Sequence, residues 1–168
     1  KNVAEQTYIK EEDLMGKGFL VKDSLNTYDW ELTGESKQIG DYTCQKATYS
    51  RIVESKTFSM GQDEMELTKD TVKVTAWFTM QIPVSHGPDD FWGLPGLILE
   101  LQNRGVTYIA ERIVLNPTEK VQLEIPKKGQ LISSKEYQAL SEEKMQEMMK
   151  RYSGKPGNGN EMVIKIGN

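Results

Sequence analysis

The chain has 168 residues, a length that predicts one domain burying about 70% of the surface of its unfolded chain. Its net charge of −4 argues against nucleic acid as a partner, because phosphate binding relies on clustered Lys and Arg. The single cysteine excludes an internal disulfide, and no apolar run approaches the roughly 20 residues of a membrane span. We therefore expect no nucleic-acid partner and no transmembrane segment.

The beginning of the chain is polar and weakly patterned. Residues 1–17 predict either a flexible end or a strand whose partner lies outside the chain. Residues 19–21 predict a short strand. The alternation of Tyr28, Trp30 and Leu32 with acidic residues predicts a second, half-buried strand.

Two longer strands with a solvated connection are predicted next. Residues 42–53 show mixed alternation, and the polar residues 55–70 predict a hairpin tip. The clearest strand pattern follows, because its apolar residues alternate with polar ones. These apolar residues are Val72, Val74, Ala76, Phe78 and Met80. Trp77 lies on the opposite face, so that face needs a cover.

Three further strand segments are predicted beyond position 96. Residues 97–101 predict a strand whose leucines share one face. Residues 103–105, Asn-Arg-Gly, predict a hairpin turn, after which residues 106–115 return as a strand. Apolar residues at alternate positions within residues 121–125 predict another strand.

One helix and a final strand are predicted at the end of the chain. Ser133 and Glu136 match a capping box, which predicts a helix from there to about Tyr152. Its apolar stripe contains Tyr137, Leu140, Met145, Met148, Met149 and Tyr152. Residues 153–160 are rich in Gly and Asn and predict a flexible linker, and residues 162–166 predict a last strand.

Strands joined by short turns and followed by one late helix predict a mainly β fold. We expect an antiparallel meander sheet, curved or half-barrel-like, with one C-terminal helix packed on it. Residues 1–168 are expected to form a single domain in which residues 1–17 and 153–160 are flexible.

The most distinctive stretch is the long connection at residues 83–96. Its proline and acidic residues at positions 88–90 predict one helical turn. Pro95 and Gly96 predict a type II turn, in which glycine takes a positive φ. Connections of this length are usually functional or disordered, and we predict that this one folds over the sheet and covers the Trp77 face.

Residues 93–98 read Gly-Leu-Pro-Gly-Leu-Ile, and two further elements lie upstream at residues 40–48 and 76–88. Together these residues resemble the GLPGLI family, over residues 28–115. The resemblance implies an uncharacterised exported envelope protein of a Gram-negative bacterium, in a periplasmic, outer-membrane-associated or extracellular location. It also implies that this chain is the C-terminal portion of a longer exported protein.

Two groups of candidate site residues follow from this stretch. Those expected to bind a ligand or partner are Trp77, His86, Asp89, Asp90, Phe91, Trp92 and Leu94. Those expected to shape the backbone are Gly87, Pro88, Gly93, Pro95 and Gly96.

Three arrangements of reactive side chains could suggest chemistry, but a structural role explains each of them better. His86 with Asp89 and Asp90 suits a transition metal by ligand type, but the spacing matches no standard ligand set. Cys44 and His86 are the sole Cys and His, and a cysteine on a strand is usually a small buried apolar residue. Methionines suit Cu(I), but their helical spacing favours packing. We therefore predict no catalytic residue, no metal and no cofactor.

The scarcity of reactive side chains favours a non-enzymatic binding or assembly module of the cell envelope. An apolar ligand, a peptide or another envelope protein would occupy an aromatic-lined sheet closed by the long connection. Two alternatives stay open. One is a structural subunit of a larger envelope complex, and the other is an enzyme that depends on a metal or on Cys44 and His86.

Overall fold

The computed structural model describes residues 1–58, 66–119, 121–122, 124–153 and 164–166. The elements in these ranges are β1 (Thr7–Leu14), β2 (Lys17–Ser24), β3 (Glu31–Ile39), β4 (Tyr42–Phe58), β5 (Glu66–Thr79), β6 (Leu97–Asn103), β7 (Val106–Ile109), β8 (Gln130–Ile132), α1 (Ser134–Ser153) and β9 (Ile164–Ile166). The turn predicted near residues 60–63 and most of the predicted linker at 153–160 lie outside the described residues.

The larger sheet contains the predicted meander. β3 to β7 follow one another in chain order, and each pairs antiparallel with the next. β9 pairs with the far end of β4, so β4 carries β3 along its first part and β9 at its end. The predicted hairpin between β6 and β7 is confirmed, since Arg104 and Gly105 take φ values of 49° and 77°, as a type I′ turn requires.

The smaller sheet connects the beginning of the chain to the helix. β1 and β2 form an antiparallel hairpin, and β8 pairs with β2 in parallel. The strand at the beginning of the chain thus has its partner within the chain. α1 packs on this sheet, because the ring of Tyr137 lies edge-on to Phe19 with 5.6 Å between centroids. The hydroxyl groups of Tyr8 and Ser134 also form a hydrogen bond.

The predicted fold class is confirmed: the chain is mainly β, largely antiparallel, with one C-terminal helix packed on it. The structure adds that the strands form two sheets and that one strand pair is parallel. The predicted capping box is also confirmed, since Glu136 Oε2 accepts from the Ser133 N–H at 2.9 Å and Ser133 Oγ accepts from the Glu136 N–H at 3.3 Å. Among the described residues, no helix combines the length and the apolar content that a membrane crossing needs.

The core lies on one face of the larger sheet. Its buried residues are Ala47, Val74, Ala76, Phe78, Phe91, Leu94, Ile98 and Leu101. The predicted alternation of β5 is confirmed for Val74, Ala76 and Phe78, whereas Met80 lies beyond the strand and is exposed. The aromatic rings of Tyr28 and Trp30, just before β3, pack against this cluster.

A β-bulge decides which β6 residues face the core. The pairing of β5 with β6 shifts between Trp77 and Phe78, which leaves Leu99 as an extra residue in β6. Ile98 and Leu101 therefore both lie in the core cluster. The predicted shared face of the β6 leucines is wrong, because a period of two holds only while the ladder is uninterrupted.

The strand predicted over residues 121–125 is wrong. The structure describes residues 110–128 except 120 and 123, and these form no strand. Val121 and Ile125 are exposed. Alternation indicates which face of a strand would be buried, but it supplies no partner, and prolines at 117 and 126, which cannot donate to a ladder, flank the segment. β7 likewise ends at Ile109, before the predicted residue 115.

Gly96 is required for close packing and has no positive φ. The predicted type II turn is therefore wrong. A Cβ at this position would lie 2.1 Å from the backbone oxygen of Thr79 and 2.6 Å from its carbonyl carbon. The glycine lets the end of the loop lie directly against the end of β5.

We expect Gly96→Ala to lower the free energy of unfolding by about 1–3 kcal/mol, because the added methyl group meets backbone that no rotamer change can move. Urea unfolding measures this loss. Gly18→Ala is the control, since a Cβ there would approach nothing closer than 3.9 Å. A Gly96→Ala protein as stable as Gly18→Ala would contradict the packing role of Gly96.

Candidate functional site

The loop between β5 and β6 contains a tight turn. The N–H of Phe91 donates to the carbonyl oxygen of Pro88 at 3.2 Å, and Asp89 takes a φ of 50°. The predicted helical turn is thus a single β-turn. The ammonium group of Lys1 donates to the carbonyl oxygens of Gly87, Asp89 and Phe91 at 2.8, 2.7 and 2.6 Å. One cation therefore satisfies the carbonyl groups that the turn leaves unpaired.

Phe91 and Leu94 anchor the loop in the core. They are only 3% and 2% exposed. The ring of Phe91 stacks on Tyr28 with 5.0 Å between centroids and 30° between planes. Between the two anchors, Gly93 has a φ of 96°, a conformation that glycine adopts readily. The prediction that the loop folds onto the sheet is confirmed.

Two indole groups tie the loop to the segment before β3. Trp30 Nε1 donates to the carbonyl oxygen of Trp92 at 2.9 Å. Trp92 Nε1 donates in turn to the carbonyl oxygen of Asn26 at 2.7 Å. These bonds give the half-buried Trp92 a structural role at the outer side of the loop.

Tyr28 and Asn26 hold the side chain of Asp90. The Tyr28 hydroxyl donates to Asp90 Oδ2 at 2.6 Å, and Asn26 Nδ2 donates to the same oxygen at 3.2 Å. Burial, and then the hydrogen bond to Asp90, raises the pKa of Tyr28 far above its usual range. The phenol therefore remains protonated and continues to donate.

Trp77 lies on the other face of the sheet, where lysine side chains cover it. The ammonium groups of Lys37 and Lys46 lie 4.4 and 5.7 Å from the centroid of its ring. Lys37 also pairs with Glu100 at 2.5 Å and Lys46 with Glu35 at 2.9 Å. The predicted cover of Trp77 by the loop is wrong, because long lysine stems already shield that face while Phe91 packs on the opposite one.

His86 and Cys44 lie in separate surroundings. The His86 carbonyl accepts from the Ile98 N–H at 2.9 Å, and Cys44 Sγ donates to the Tyr42 carbonyl oxygen at 3.8 Å. Cys44 is fully buried, and this burial raises the pKa of its thiol. In the described part of the chain, no hydrogen bond joins the two side chains.

Among the described residues, no cluster of ligands supports the metal hypotheses. In the part of the chain that the structure describes, no group of three or more His, Cys, Asp and Glu side chains is placed to hold a metal ion. His86, Asp89 and Asp90 thus do not converge. Of the methionines considered for Cu(I), those at positions 60, 65 and 162 lie outside the described residues.

A cleft of about 1020 Å³ lies between the two sheets and the helix. One wall is formed by β1 with Tyr8 and Ile9, and a second by α1 with Tyr137, Ser141 and Met145. The third wall consists of residues 51–53 of β4 together with residues 89–91 of the loop. Apolar, hydroxyl and charged side chains are therefore all accessible to one occupant.

Two buried polar atoms at this cleft have no hydrogen-bond partner among the described residues. They are Nε of Arg51 and Oδ1 of Asn103. Arg51 lies four positions after the buried Ala47 and two before the buried Val53 along β4, so all three belong to the core face of the sheet. Buried polar groups without partners are rare in folded proteins, and each calls for an explanation.

The structure brings together only some of the predicted site residues. Asp89, Asp90 and Phe91 line the cleft, whereas Trp77, His86, Trp92 and Leu94 do not. Gly87 also has a packing role, since a Cβ there would lie 2.7 Å from the side chain of Ile98. Of the predicted backbone-shaping residues, Gly93 and Gly96 act as described above, while Pro88 and Pro95 occupy the two bends of the loop.

Sequence reasoning missed Arg51, Asn103, Tyr8 and Tyr137 as cleft residues. A signal existed only for Arg51, because the period-two alternation that places Ala47 and Val53 inside places this charged residue inside as well. The face of Asn103 follows from its place in β6, whereas the positions of Tyr8 and Tyr137 depend on how the smaller sheet and the helix meet the larger sheet. No local pattern contains that information.

Among protein families, the model described as "Protein of unknown function (Porph_ging)" matches residues 30–100. This finding corrects the resemblance to the GLPGLI family, which is wrong. That resemblance rested on short runs such as residues 93–98, whose glycines serve local backbone geometry here. No curated protein matches the chain, and no solved structure matches it.

We expect the free energy of unfolding to fall as the pH drops below 6.5, because burial, and then the charge of Lys1, lowers the pKa of His86 from 6.5. The unfolded chain takes up the proton first, so stability is lost until the pH reaches the pKa of the folded state. Urea unfolding at pH 7 and pH 5 measures this loss.

His86→Gln is the control for this pH dependence, since His86 is the sole histidine. Its free energy of unfolding should change less between the two pH values than that of the wild type. Asp23, Glu35 and Glu136 have lowered pKa values and lose their stabilising effect only at still lower pH. An equal loss in wild type and variant would contradict the assignment to His86.

Proposed function

We propose that this protein is a non-enzymatic binding module whose ligand occupies the cleft between β1, α1 and the core face of β4. The observation that carries this proposal is the pair of unpartnered buried atoms, Arg51 Nε and Asn103 Oδ1, at one cavity. A ligand with complementary groups would satisfy both of them. The cavity volume of about 1020 Å³ is near the upper end of the range for ligand pockets, roughly 300–1,000 Å³.

The composition of the walls supports binding over catalysis. Apolar side chains such as Ile9, Val53 and Met145 line the cleft among polar and charged ones, so a ligand would meet both apolar surface and hydrogen-bonding groups there. The single thiol, Cys44, is buried and has a raised pKa, so its nucleophilic thiolate is disfavoured. The cell-envelope location stays a prediction.

Filling the cleft should prevent binding. We expect wild-type protein mixed with random hexapeptides and fatty acids to form adducts in native mass spectrometry. The double variant Gln138→Trp/Ser141→Trp places two indoles in the cavity from α1 and should reduce these adducts at least tenfold.

The matched control places the same two indoles elsewhere on the helix. Glu143 and Gln146 are exposed and do not line the cleft. The variant Glu143→Trp/Gln146→Trp should therefore bind as the wild type does. The proposal that the cleft binds a ligand is wrong if the wild type forms no adduct, or if both double variants bind equally well.

An assembly role is the second candidate, and the edge of the larger sheet favours it. Among the strands that the structure describes, β7 pairs only with β6. Val106, Tyr108 and Ile109 on this strand are exposed by 52%, 38% and 60%. An exposed apolar edge is a template for pairing with another strand, including the β7 edge of a second copy.

We expect light scattering at increasing concentration to detect a dimer of the wild type if the β7 edge is the assembly surface. Val106→Lys should shift the protein to monomer, because a charge on an edge strand opposes pairing. Val121→Lys is the control, since this residue is also exposed but lies outside the sheet. A wild type that stays monomeric at all concentrations would rule out assembly through this edge.

A further inference from the structure

We propose that the cleft binds a peptide, through a carboxylate group held by Arg51 and a peptide N–H held by Asn103. This inference rests on the proposed binding function and specifies the ligand class. It concerns the chemistry of two side chains on the core face of the larger sheet, both at the end where the core cluster stops and the cleft begins.

Arg51 is a cation in the apolar face of a sheet. It pairs across the ladder with Val72, and the neighbouring pair on the same face is Tyr49 with Val74. Its Nε is buried without a partner, and none of the ion pairs found among the described residues involves Arg51. Leaving a guanidinium group in such a position is costly unless an anion joins it.

A carboxylate is the anion that fits this site. The guanidinium fork binds a carboxylate through two parallel hydrogen bonds, one of which uses Nε. The other cations of the cleft are already engaged, since Lys10 pairs with Glu12 at 2.7 Å and Lys1 donates to three carbonyl groups. One group with a single negative charge therefore matches the cation that remains.

The remaining charges of the cleft disfavour a dianion such as a phosphate group. Glu12, Asp89, Asp90 and Glu142 also line the cavity. A second negative charge on the ligand would be repelled by these carboxylates and would meet no further unpaired cation among the described lining residues. The walls thus favour a ligand that carries a carboxylate together with neutral polar groups.

Asn103 supplies the second specific contact. Its Oδ1 is buried and accepts no hydrogen bond in the described part of the chain, so the ligand must offer a donor. Asn103 follows the core residue Leu101 by two positions and therefore lies on the same face as Arg51. β4 and β6 are separated by two strand spacings of about 4.8 Å each.

A peptide provides both groups at such a separation. Its carboxylate and a backbone N–H one or two residues away span about 4–7 Å, at about 3.3–3.6 Å per extended residue. The long Arg51 side chain, with three methylene groups before its guanidinium group, can bridge the rest of the distance. The apolar side chains of Val53, Phe91 and Met145 can then accept the peptide's side chains.

Equilibrium dialysis of the full chain against three hexapeptide pools tests this inference. The first pool has a free C-terminal carboxylate and no Asp or Glu. The second has the same sequences with amidated C-termini, and the third is amidated but contains one Asp or Glu per peptide. We expect wild type to retain the first or the third pool about ten- to a hundredfold more strongly than the second, as loss of a charge-assisted pair predicts.

Three substitutions assign the contacts. Arg51→Gln should reduce retention of the carboxylate pools to that of the amidated pool. Asn103→Leu should reduce it about two- to tenfold, as expected for a neutral hydrogen bond. Lys73→Gln is the matched control, because this exposed lysine lies on the opposite face of β5. It should retain the pools as wild type does.

The outcomes separate this inference from the proposed function. Preference for the first pool identifies the C-terminal carboxylate, and preference for the third identifies an acidic side chain; either supports the inference. Equal retention of all three pools overturns it, as does an Arg51→Gln protein that binds like wild type. If no pool is retained while fatty acids still form adducts, the peptide class is wrong and the binding function stands. Absence of both overturns the two proposals together.

A thermal melt tests whether Arg51 has a merely structural role. We expect the melting temperature of Arg51→Gln to equal or exceed that of the wild type, because the substitution removes an uncompensated buried cation. A clear fall in the melting temperature would mean that Arg51 supports the fold, and would overturn the inference. The comparison of free and amidated peptides uses wild-type protein and is independent of the variant's folding.

Discussion

The contact between Tyr28 and the β5–β6 loop determines how the loop covers the core of the larger sheet. The Tyr28 ring stacks on Phe91 on one side and meets Tyr49 edge-on at 5.3 Å on another, while its hydroxyl binds Asp90. A loop of this length loses conformational entropy when it is ordered, and aromatic burial is the main compensation. Because Tyr28 also belongs to the segment before β3, it joins the first strand of the larger sheet to the loop that covers its core.

The cations on the two faces of the larger sheet differ in whether they are paired. On the outer face, Lys37 lies over Trp77, and its ammonium group pairs with Glu100. The charge there is neutralised and its stem serves as apolar cover. On the core face, Arg51 has a buried Nε with no partner among the described residues. Within the described residues, the cation that packs is therefore paired, and the Nε that faces the cavity is not, a contrast that the carboxylate ligand we propose would remove.

Local patterns predicted the elements that depend on local physics. The alternation of β5, the capping box before α1 and the Asn-Arg-Gly turn each involve residues a few positions apart, and all three are present. The β6 bulge was not predictable, because the extra residue Leu99 is visible only in the register with β5. For the same reason, the sequence predicted that the loop would dock but assigned it to the wrong face of the sheet.

The candidate site was less accessible to sequence reasoning than the fold. The loop residues were selected as conspicuous glycines, prolines and aromatics, and most of them hold the backbone or the core in place. The cleft needs a second sheet and a helix, whose packing on the larger sheet no spacing encodes. Arg51 is the exception, since a charge at an inward position of β4 is already anomalous in the sequence.

The distant pairings of β8 and β9 impose an order on folding during synthesis. β8 inserts beside Phe19 and Val21 although it lies more than one hundred residues later in the chain, and β9 completes the free part of β4 with residues 164–166. Until β8 and β9 are translated, β2 has only β1 beside it and the end of β4 has only β5. Such late closure slows folding and exposes strand edges to other nascent chains.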